Sequence, residues 1–366
     1  AATLSVTGVN QSGGGGVTIN NTGNLTVNGA VTAGATPANI QLTATGATAD
    51  ATLNGAVGGG SGDVSVNAGR NVTINTGGDI TTTGNVVLFA GQTAATGTIT
   101  EAGTGKVLTA AGLTTSSKGT QTLNNANTVG AFNATNTTAA GDILLTNTAA
   151  PLSITLISQN AAGNVVINNT GGITLNGNVN FNGNAGNLTL NASGAITQSS
   201  GVITNNDPAS IATFAAGAAN NIGLGGNNDF NEVRITSGKD VTINDVSNAL
   251  KLGASTVSGN YSATATGGNI TTTGALALDG TTNSITATGA SFDVTLSNAI
   301  THNNASASTL NLVGKQNIAF ATGGSVTASG GTLAVTLNSD SDATGGGAIS
   351  MAPGTSISSN GGNIVL

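Results

Sequence analysis

Short strand-like phrases, each bounded by glycine or asparagine, recur along the whole chain and limit its fold more than any other feature. Examples are "NLTVNG" (24–29), "RNVTINTG" (70–77) and "NVVLFAG" (85–91). Within a phrase, apolar residues recur at every second position for four or five residues, and a turn follows. A period of two is typical of a β-strand with one buried face and one exposed face. The pattern predicts an all-β protein made of many short strands.

The spacing of the phrases indicates how the strands are arranged. Val64, Val72, Ile80 and Val86 belong to four successive phrases, so three strands fit into the interval between Val64 and Val86. Antiparallel hairpins share this spacing, but hairpin sandwiches and barrels generally use aromatic residues and charged outer faces. Here aromatic residues are 2% and charged residues 6% of the chain. A parallel β-helix (β-solenoid) with about 20–23 residues and three short strands per coil explains both observations.

The composition excludes two other classes of chain. A hydrophobic fraction of 38% is too high for a disordered chain, which combines low hydrophobicity with high net charge. The usual helix formers, Glu, Lys, Arg, Met and Gln, are scarce, so we expect essentially no helix and more than about 40% strand. The 57 glycines, together with many asparagines, suit tight corners that need positive φ.

The clearest strands also predict which side chains point inward. Alternate positions of a strand share one face, so a single choice of register fixes the core. We expect the following apolar residues to be buried: Val72, Ile74, Val165, Ile167, Ile173, Leu175, Leu188, Leu190, Val241 and Ile243.

A longer repeat overlies the short one. The stretch 121–158 resembles 222–259 in pattern, and both lead into glycine-rich strands and then a G-x-I-T phrase. Solenoids lengthen by duplication of blocks of several coils. No linker or change of composition separates the blocks, so we interpret residues 1–366 as a single continuous β-helix segment, an internal fragment of a longer protein.

Several phrases resemble the repeat regions of filamentous-haemagglutinin-type exoproteins of the two-partner secretion family. They include "NVTINTGGDITTTGNV" (71–86), "LTLNASGAITQ" (188–198) and "GGAISMAPGTSISSNGGNIVL" (346–366). The resemblance covers essentially the whole chain. It implies a right-handed parallel β-helix, export through an outer-membrane transporter and a role as an adhesin or surface filament. The signature motifs of that family's secretion domain are not found, which favours an internal repeat segment.

The charges exclude nucleic acid as a partner. The formal net charge is −7, and the seven basic residues are scattered singly, without a basic stripe or aromatic residues to stack on bases. No apolar run approaches the roughly 18 residues of a transmembrane helix. The absence of cysteine suits a protein exported unfolded through the periplasm.

The acidic residues offer little for catalysis. Most are isolated, as Glu101 and Glu232 are, whereas hydrolysis of a glycosidic bond needs two carboxyl groups about 5–9.5 Å apart. The close pair is Asp340 and Asp342 in "NSDSDATGGG" (338–347). This stretch is typical of a solvated loop, and a weak Ca²⁺ site is the alternative. We predict no catalytic, cofactor-binding or metal-binding residues, and no cofactor.

Two further features are weak candidates for a site. "GGGSGDVSV" (58–66) and "GLGGNND" (223–229) approach the calcium repeat G-G-x-G-x-D, but neither occurs in tandem. His302 is the only histidine of the chain and has no cysteine, nucleophilic serine or acid near it in the sequence. We expect it to be an exposed loop residue.

A threonine-rich phrase occurs twice, as "GGDITTT" (77–83) and "GGNITTTG" (267–274). A flat face of T-x-T rungs, one per coil, would indicate an ice-binding solenoid. The two copies lie eight to ten coils apart, and the neighbouring coils do not repeat T-x-T in register. We therefore interpret the phrase as a structural building block.

These observations favour a structural and adhesive function, a secreted rod of a bacterial surface filament or adhesin without catalytic activity. The first alternative is a ligand- or ice-binding β-helix face, and a carbohydrate-active β-helix enzyme ranks last. The expected partners are an unidentified host or surface receptor, with carbohydrate among the candidates, and the outer-membrane transporter. The expected location is extracellular, at the bacterial cell surface.

The two ends of the chain predict self-association. Residues 1–10 and 360–366 contain no charged side chain, no proline and no segment that would cap the open strands of a solenoid. We expect further coils on both sides in the intact protein, and end-to-end stacking of residues 1–366 in isolation.

Overall fold

A computed structural model describes residues 1–34, 37–289, 291–343 and 345–366. The chain divides into two compact units, Ala1–Gly186 and Asn187–Leu366. In the described ranges all regular structure is β, and no helix is present that is long and apolar enough to cross a membrane.

The strands of the first unit are short, apart from three long ones in its second half. They are β1 (Leu4–Val6), β2 (Val9–Gln11), β3 (Val17–Asn21), β4 (Leu25–Val27), β5 (Val31–Ala33), β6 (Ile40–Ala44), β7 (Ala51–Leu53), β8 (Val57–Gly60), β9 (Val64–Ala68), β10 (Val72–Ile74), β11 (Ile80–Thr82), β12 (Val86–Phe89), β13 (Ile99–Glu101), β14 (Val107–Ser117), β15 (Gln121–Asn136), β16 (Ile143–Asn147), β17 (Leu152–Gln159), β18 (Val165–Asn169), β19 (Ile173–Leu175) and β20 (Val179–Asn180).

The strands of the second unit are also mostly short. They are β21 (Leu188–Ala192), β22 (Ile196–Gln198), β23 (Ile203–Asn205), β24 (Ile211–Ala215), β25 (Ile222–Phe230), β26 (Glu232–Ser237), β27 (Val241–Asp245), β28 (Leu250–Leu252), β29 (Ser255–Val257), β30 (Tyr261–Ala265), β31 (Ile270–Thr272), β32 (Leu276–Leu278), β33 (Thr282–Ala287), β34 (Val294–Leu296), β35 (Ala299–His302), β36 (Ser308–Gly314), β37 (Ile318–Phe320), β38 (Ser325–Ala328), β39 (Leu333–Asn338), β40 (Ile349–Met351), β41 (Ser356–Ser358) and β42 (Ile364–Val365).

A coil of the first unit contains two short strands and one longer strand, and each pairs in parallel with its equivalent one coil away. Strand β4 pairs with β1 and β7, β5 with β2 and β8, and β6 with β3 and β9. In places two strands of a coil merge across a corner, so β14 pairs with both β11 and β12. Three strands per coil are therefore confirmed, with some of them fused.

The second unit repeats this arrangement. Strands β27, β28 and β29 form one coil and pair in parallel with β30, β31 and β32 of the next. The two units together contain about 14 turns of parallel β-solenoid. The predicted fold class, the absence of helix among the described residues and the parallel pairing are confirmed, whereas the right-handed sense stays a prediction.

The coils vary in length more than the sequence predicts. A short coil leads from Ile222 to its register partner Val241, whereas a long coil leads from Ile318 to its register partner Ile349. The first interval falls below the predicted spacing and the second exceeds it, so the predicted range is too narrow at both limits. In the longest coil a corner takes up the difference, since this coil includes the serine- and glycine-rich stretch 338–347.

The interior is a column of aliphatic side chains stacked from coil to coil. Val72 lies between Ala51 and Ile99, its register partners in the adjacent coils, and all three are fully buried. The ten residues predicted to point inward are all at most 1% exposed, so the predicted register is confirmed. Burial of each such side chain contributes about 1.5–3 kcal/mol.

The corners bring the backbones of successive coils into close contact. A Cβ atom at Gly177 would lie 1.7 Å from the carbonyl oxygen of Thr155, so no larger residue fits there without a shift of the backbone. At another corner the amides of Asn28, Asn54 and Asn75 form a ladder, with Nδ2 to Oδ1 distances of 2.8 and 2.7 Å. Glycine and asparagine therefore hold the coils at their spacing.

We predict that Gly177→Ala destabilises the chain by about 1–3 kcal/mol, because the new methyl group overlaps a carbonyl oxygen of the coil below. Gly58→Ala is the matched control, since a Cβ there meets only the Thr32 methyl carbon at 3.6 Å. The midpoint of urea unfolding, followed by circular dichroism, measures both variants. Equal effects of the two substitutions would contradict the crowding of the Gly177 corner.

Candidate functional site

The acidic pair Asp340 and Asp342 lies in the turn that follows β39, and each carboxylate has a partner within the chain. Asp340 adopts a φ of 55° and its Oδ1 accepts the N–H of Gly345 at 3.1 Å. An Asp342 carboxylate oxygen lies 3.9 Å from Nζ of Lys315. Thr344 of the same stretch lies outside the described residues. These contacts brace a corner and leave the two carboxylates with different partners.

The two stretches that approach a calcium repeat use their carboxylates in the same way. Oδ1 of Asp63 accepts the N–H of Asn85 at 2.8 Å, one coil away. The two oxygens of Asp229 accept from Nδ2 of Asn206 at 2.6 Å and of Asn248 at 2.9 Å. Within the part of the chain that the structure describes, no three residues of the types His, Cys, Asp and Glu are grouped as metal ligands would be.

His302 lies in the core, and its predicted exposure is wrong. It is the last residue of β35, where its side chain is 1% exposed and its Nδ1 lies 2.6 Å from the carbonyl oxygen of Leu278. Nε2 is also buried and has no hydrogen-bond partner. The signal for this position was in the sequence: in "AITH" (299–302) the histidine follows Ile300 at the inward spacing of two.

The sequence position of Glu232 suggests an isolated acid, but in the structure Glu232 binds Arg234. Its Oε1 accepts from Nε of Arg234 at 2.6 Å. The pair lies against Gly253, where a Cβ would stand 2.5 Å from the same oxygen. Arg234 borders a shallow groove of about 510 Å³ whose other lining residues are threonine, alanine and serine. The sequence signal was the i, i+2 spacing, which places both side chains on one face of β26.

A second ion pair fixes a corner of the first unit. Nε of Arg70 donates to Oδ1 of Asp50 at 2.9 Å, and the N–H of Asn71 donates to the same oxygen at 3.1 Å. The hydrogen bond from Arg70 is the main reason why the pKa of Asp50 lies below its ordinary value. Like Asp63, this pair joins residues about one coil apart.

The two threonine-rich phrases differ in position but share a structural role. Ile80 and Thr82 of the first copy are buried, and the Thr82 hydroxyl donates to the carbonyl oxygen of Gly62. In the second copy Thr272 is buried, and its Oγ1 accepts the N–H of Ser297 at 2.8 Å. Both copies thus use the second threonine to support a corner one coil away.

A column of threonines on the outer face of the first unit was missed by the sequence analysis. It occupies the middle positions of β4, β7, β10 and β13 and the second position of β15, and these residues pair in register from coil to coil. Its members are Thr26, Thr52, Thr73, Thr100 and Thr122. Neighbouring members are about 4.8 Å apart. We call this set the threonine column.

The sequence pattern does not reveal the threonine column, because the coils that carry it differ in length. The phrases that carry it are "LTV", "ATL", "VTI", "ITE" and "QTL", and the intervals between them are unequal. The interval from Thr52 to Thr73, for example, is shorter than the interval from Thr73 to Thr100. A search at one fixed period misses such a set. The column continues with Leu144 and Val166, so its polar surface ends inside the first unit.

The other outer faces are mixed in residue type. One row of the second unit, for example, runs through Thr242, Ser262, Ser284, Asn311 and Thr336. Small polar side chains alternate there without a repeated chemical group. Mixed faces are the expected surface of a scaffold, and the threonine column is the local exception.

Comparison with known proteins finds one family. Residues 238–313 match a family described as repeats of unknown function (DUF5649). The match covers about a fifth of the chain and lies in the second unit, from the end of β26 into β36. No curated protein and no solved structure matches the chain. The comparison supports a repeat protein and assigns no activity.

Proposed function

We propose that this chain is a structural segment of a secreted bacterial surface protein, a rod of stacked coils that carries or displays an adhesive region and performs no catalysis. The fold supports a structural role, because every coil serves as the template for the next. The adhesive role and the export come from the resemblance to filamentous-haemagglutinin-type exoproteins.

The observation that carries this proposal is the direction of the polar contacts. The ladder of Asn28, Asn54 and Asn75 binds coil to coil, and so do the carboxylates of Asp50 and Asp63. An enzyme site gathers such groups around one cleft. Here these groups are spread along the solenoid and bind its own backbone and side chains, as expected of a scaffold.

The proposed location is the bacterial cell surface, and the proposed export route is an outer-membrane transporter. The chain contains no cysteine, so no disulfide can form in the periplasm before export. The proposed partner of the whole protein is a host or surface receptor, with carbohydrate as the first class to test. Small polar faces with few charges suit contact with neutral sugars better than with nucleic acid.

Antibodies raised against residues 1–366 test the location and the role together. We expect them to label intact cells of the source bacterium, or its culture medium, and protease treatment of intact cells should remove the cell signal. In-frame deletion of the coding region for residues 1–366 should reduce attachment to host cells. Substitution of Asp340 and Asp342 by asparagine, the matched control, should leave attachment unchanged. Labelling that requires cell lysis would contradict the proposal.

The threonine column favours a second candidate function, a ligand- or ice-binding face on the first unit. Replacement of Thr52, Thr73 and Thr100 by valine keeps the β-branched shape and removes three hydroxyl groups. If the face binds, the triple variant should lose inhibition of ice recrystallisation, or binding to a glycan panel, that the unaltered chain shows. The matched control is Thr264→Val with Thr286→Val on the second unit, which should change neither. An unaltered chain without either activity removes this candidate.

We also propose that isolated copies associate end to end. Apolar side chains are exposed on the last strands of the second unit, where Met351 is 47%, Ile364 46% and Val365 53% exposed. Parallel strands with open edges pair readily with further strands. Analytical ultracentrifugation should show mass that grows with concentration, and Ile364→Asp combined with Val365→Lys should reduce it. A chain that stays monomeric at every concentration would contradict this proposal.

A further inference from the structure

Two corners, one in each unit, are built by the same set of hydrogen bonds around a fully buried asparagine, Asn127 or Asn228. In the first, Oε2 of Glu101 accepts the N–H of Asn125 at 2.8 Å and Nδ2 of Asn127 at 3.2 Å. Oδ1 of Asn127 accepts the N–H of Val107 at 2.7 Å. Asn127 is fully buried and Glu101 is 7% exposed. These two bonds of the Asn127 side chain are therefore buried, and the bond from Asn125 is partly buried.

The second corner repeats these bonds with a glutamine in place of the glutamate. Oε1 of Gln198 accepts the N–H of Gly226 at 2.9 Å and Nδ2 of Asn228 at 3.1 Å. Oδ1 of Asn228 accepts the N–H of Ile203 at 2.9 Å. Gln198 is thus the counterpart of Glu101, and Asn228 is the counterpart of Asn127.

The next coil of each corner shows the reverse exchange. Asn147 and Asp245 hold matching positions there. Oδ1 of Asn147 accepts the N–H of Val129 at 2.8 Å, and Oδ1 of Asp245 accepts the N–H of Phe230 at 2.7 Å. At these two positions each corner therefore has one acid and one amide, in addition to the shared asparagine, and the order of the two is swapped between the units.

In both corners the matched oxygen accepts the same bonds, so the second oxygen of the acid corresponds to the NH₂ group of its counterpart. Nε2 of Gln198 donates to Oδ1 of Asn228 at 2.8 Å and to the carbonyl oxygen of Gly201 at 3.0 Å. Oε1 of Glu101 is buried and has no hydrogen-bond partner. An oxygen without a proton cannot donate as the Gln198 nitrogen does.

The same mismatch occurs at the aspartate. Nδ2 of Asn147 donates to the carbonyl oxygen of Val129 and to Oδ1 of Asn169, each at 3.1 Å. In the second corner Phe230 replaces Val129 and Ala265 replaces Asn169, so the backbone carbonyl is the equivalent acceptor that remains. Oδ2 of Asp245 is buried and has no hydrogen-bond partner. A carboxyl group can replace a carboxamide as a donor only when it carries its proton.

We propose that Glu101 and Asp245 are protonated in the folded solenoid and donate from the oxygens that replace the amide nitrogens of their counterparts, so that the two corners make the fold sensitive to pH. This inference concerns the solenoid itself and is independent of the proposed adhesive function.

The surroundings of both acids favour the neutral form. Burial is the main cause that raises the pKa of each to about 7, from ordinary values of 4.5 for Glu101 and 3.8 for Asp245. The charged groups that face them add to the effect, since Asp79 acts on Glu101 and Asp229 acts on Asp245. The ion pairs formed by the described residues involve other carboxylates, those of Asp50, Glu232 and Asp342.

The direction of the pH dependence follows from these values. Between about pH 4 and pH 7 the folded chain retains two protons that the unfolded chain has released. Stability contributed by these groups is complete below the unfolded pKa values and falls as pH rises towards 7. The loss is complete about one unit above pH 7, where both carboxylates are ionised in the folded chain as well.

The experiment compares thermal unfolding of the chain and its variants across pH 4.5 to 8.5. Glu101→Gln and Asp245→Asn each install the residue that the other corner already uses. At pH 8 the double variant should unfold on the order of 5 °C above the unaltered chain, with a much smaller difference at pH 5. Asp63→Asn is the matched control, since Asp63 is exposed and also accepts one backbone N–H through Oδ1. It should leave the pH profile unchanged.

The reverse exchange tests the same inference from the other side. Asn147→Asp places an acid where the first corner has an amide, and it should add a new loss of stability as pH rises towards 7. Infrared spectra of the unaltered chain at pH 6 should show protonated carboxylic acid, and this band should disappear in the double variant. Infrared spectroscopy needs only the unaltered chain, so the inference stays testable where a variant fails to fold.

Two results would overturn the inference. A double variant whose advantage is the same at pH 5 and pH 8 would show that the gain comes from packing and not from the protons. Absence of a protonated carboxyl band at pH 6 would show that both acids are ionised in the fold.

Discussion

Parallel hydrogen bonding between successive coils is the constraint on which the rest of this structure depends. A strand of three residues cannot satisfy its own backbone groups, so its N–H and C=O groups need partners one coil above and one coil below. Each strand position must therefore recur in the next coil, while corners such as 338–347 are free to change in length. Most of the interior is filled by aliphatic side chains, although Phe132, Phe214 and Phe230 are also fully buried in it.

The corners need hydrogen-bond partners that the strands do not supply, because they bury polar groups where the ladder of strands is interrupted. Asparagine and glutamine supply these partners, because their side chains carry both a donor and an acceptor, as a peptide group does. Asn127 shows the principle: its two side-chain atoms satisfy backbone groups of the coils on either side as well as its own. Where the chain uses an acid at such a corner, one of these roles depends on a proton.

The sequence was sufficient to predict the fold class. The period of two in apolar residues predicted that Val72, Ile167 and Leu190 are in the core, and all three are buried. The sequence was less informative where side chains act across coils. His302 looked isolated along the chain, but its position depends on Ile300 and on the coil that contains Leu278. The threonine column and the acid corners likewise join residues separated by coils of unequal length, and only the register of pairing brings them together.

The exchange of acid and amide between the two corners also bears on the chemical ageing of the molecule. Asparagine is among the thermolabile residues, and loss of its side-chain nitrogen produces aspartate. The second unit shows that this fold holds an aspartate, Asp245, in the position that Asn147 has in the first. Deamidation at Asn147 would therefore produce a residue of nearly unchanged shape in a corner that can still close. In a long-lived molecule of this kind, accumulated deamidation at this corner would make the stability of the coils increasingly dependent on pH.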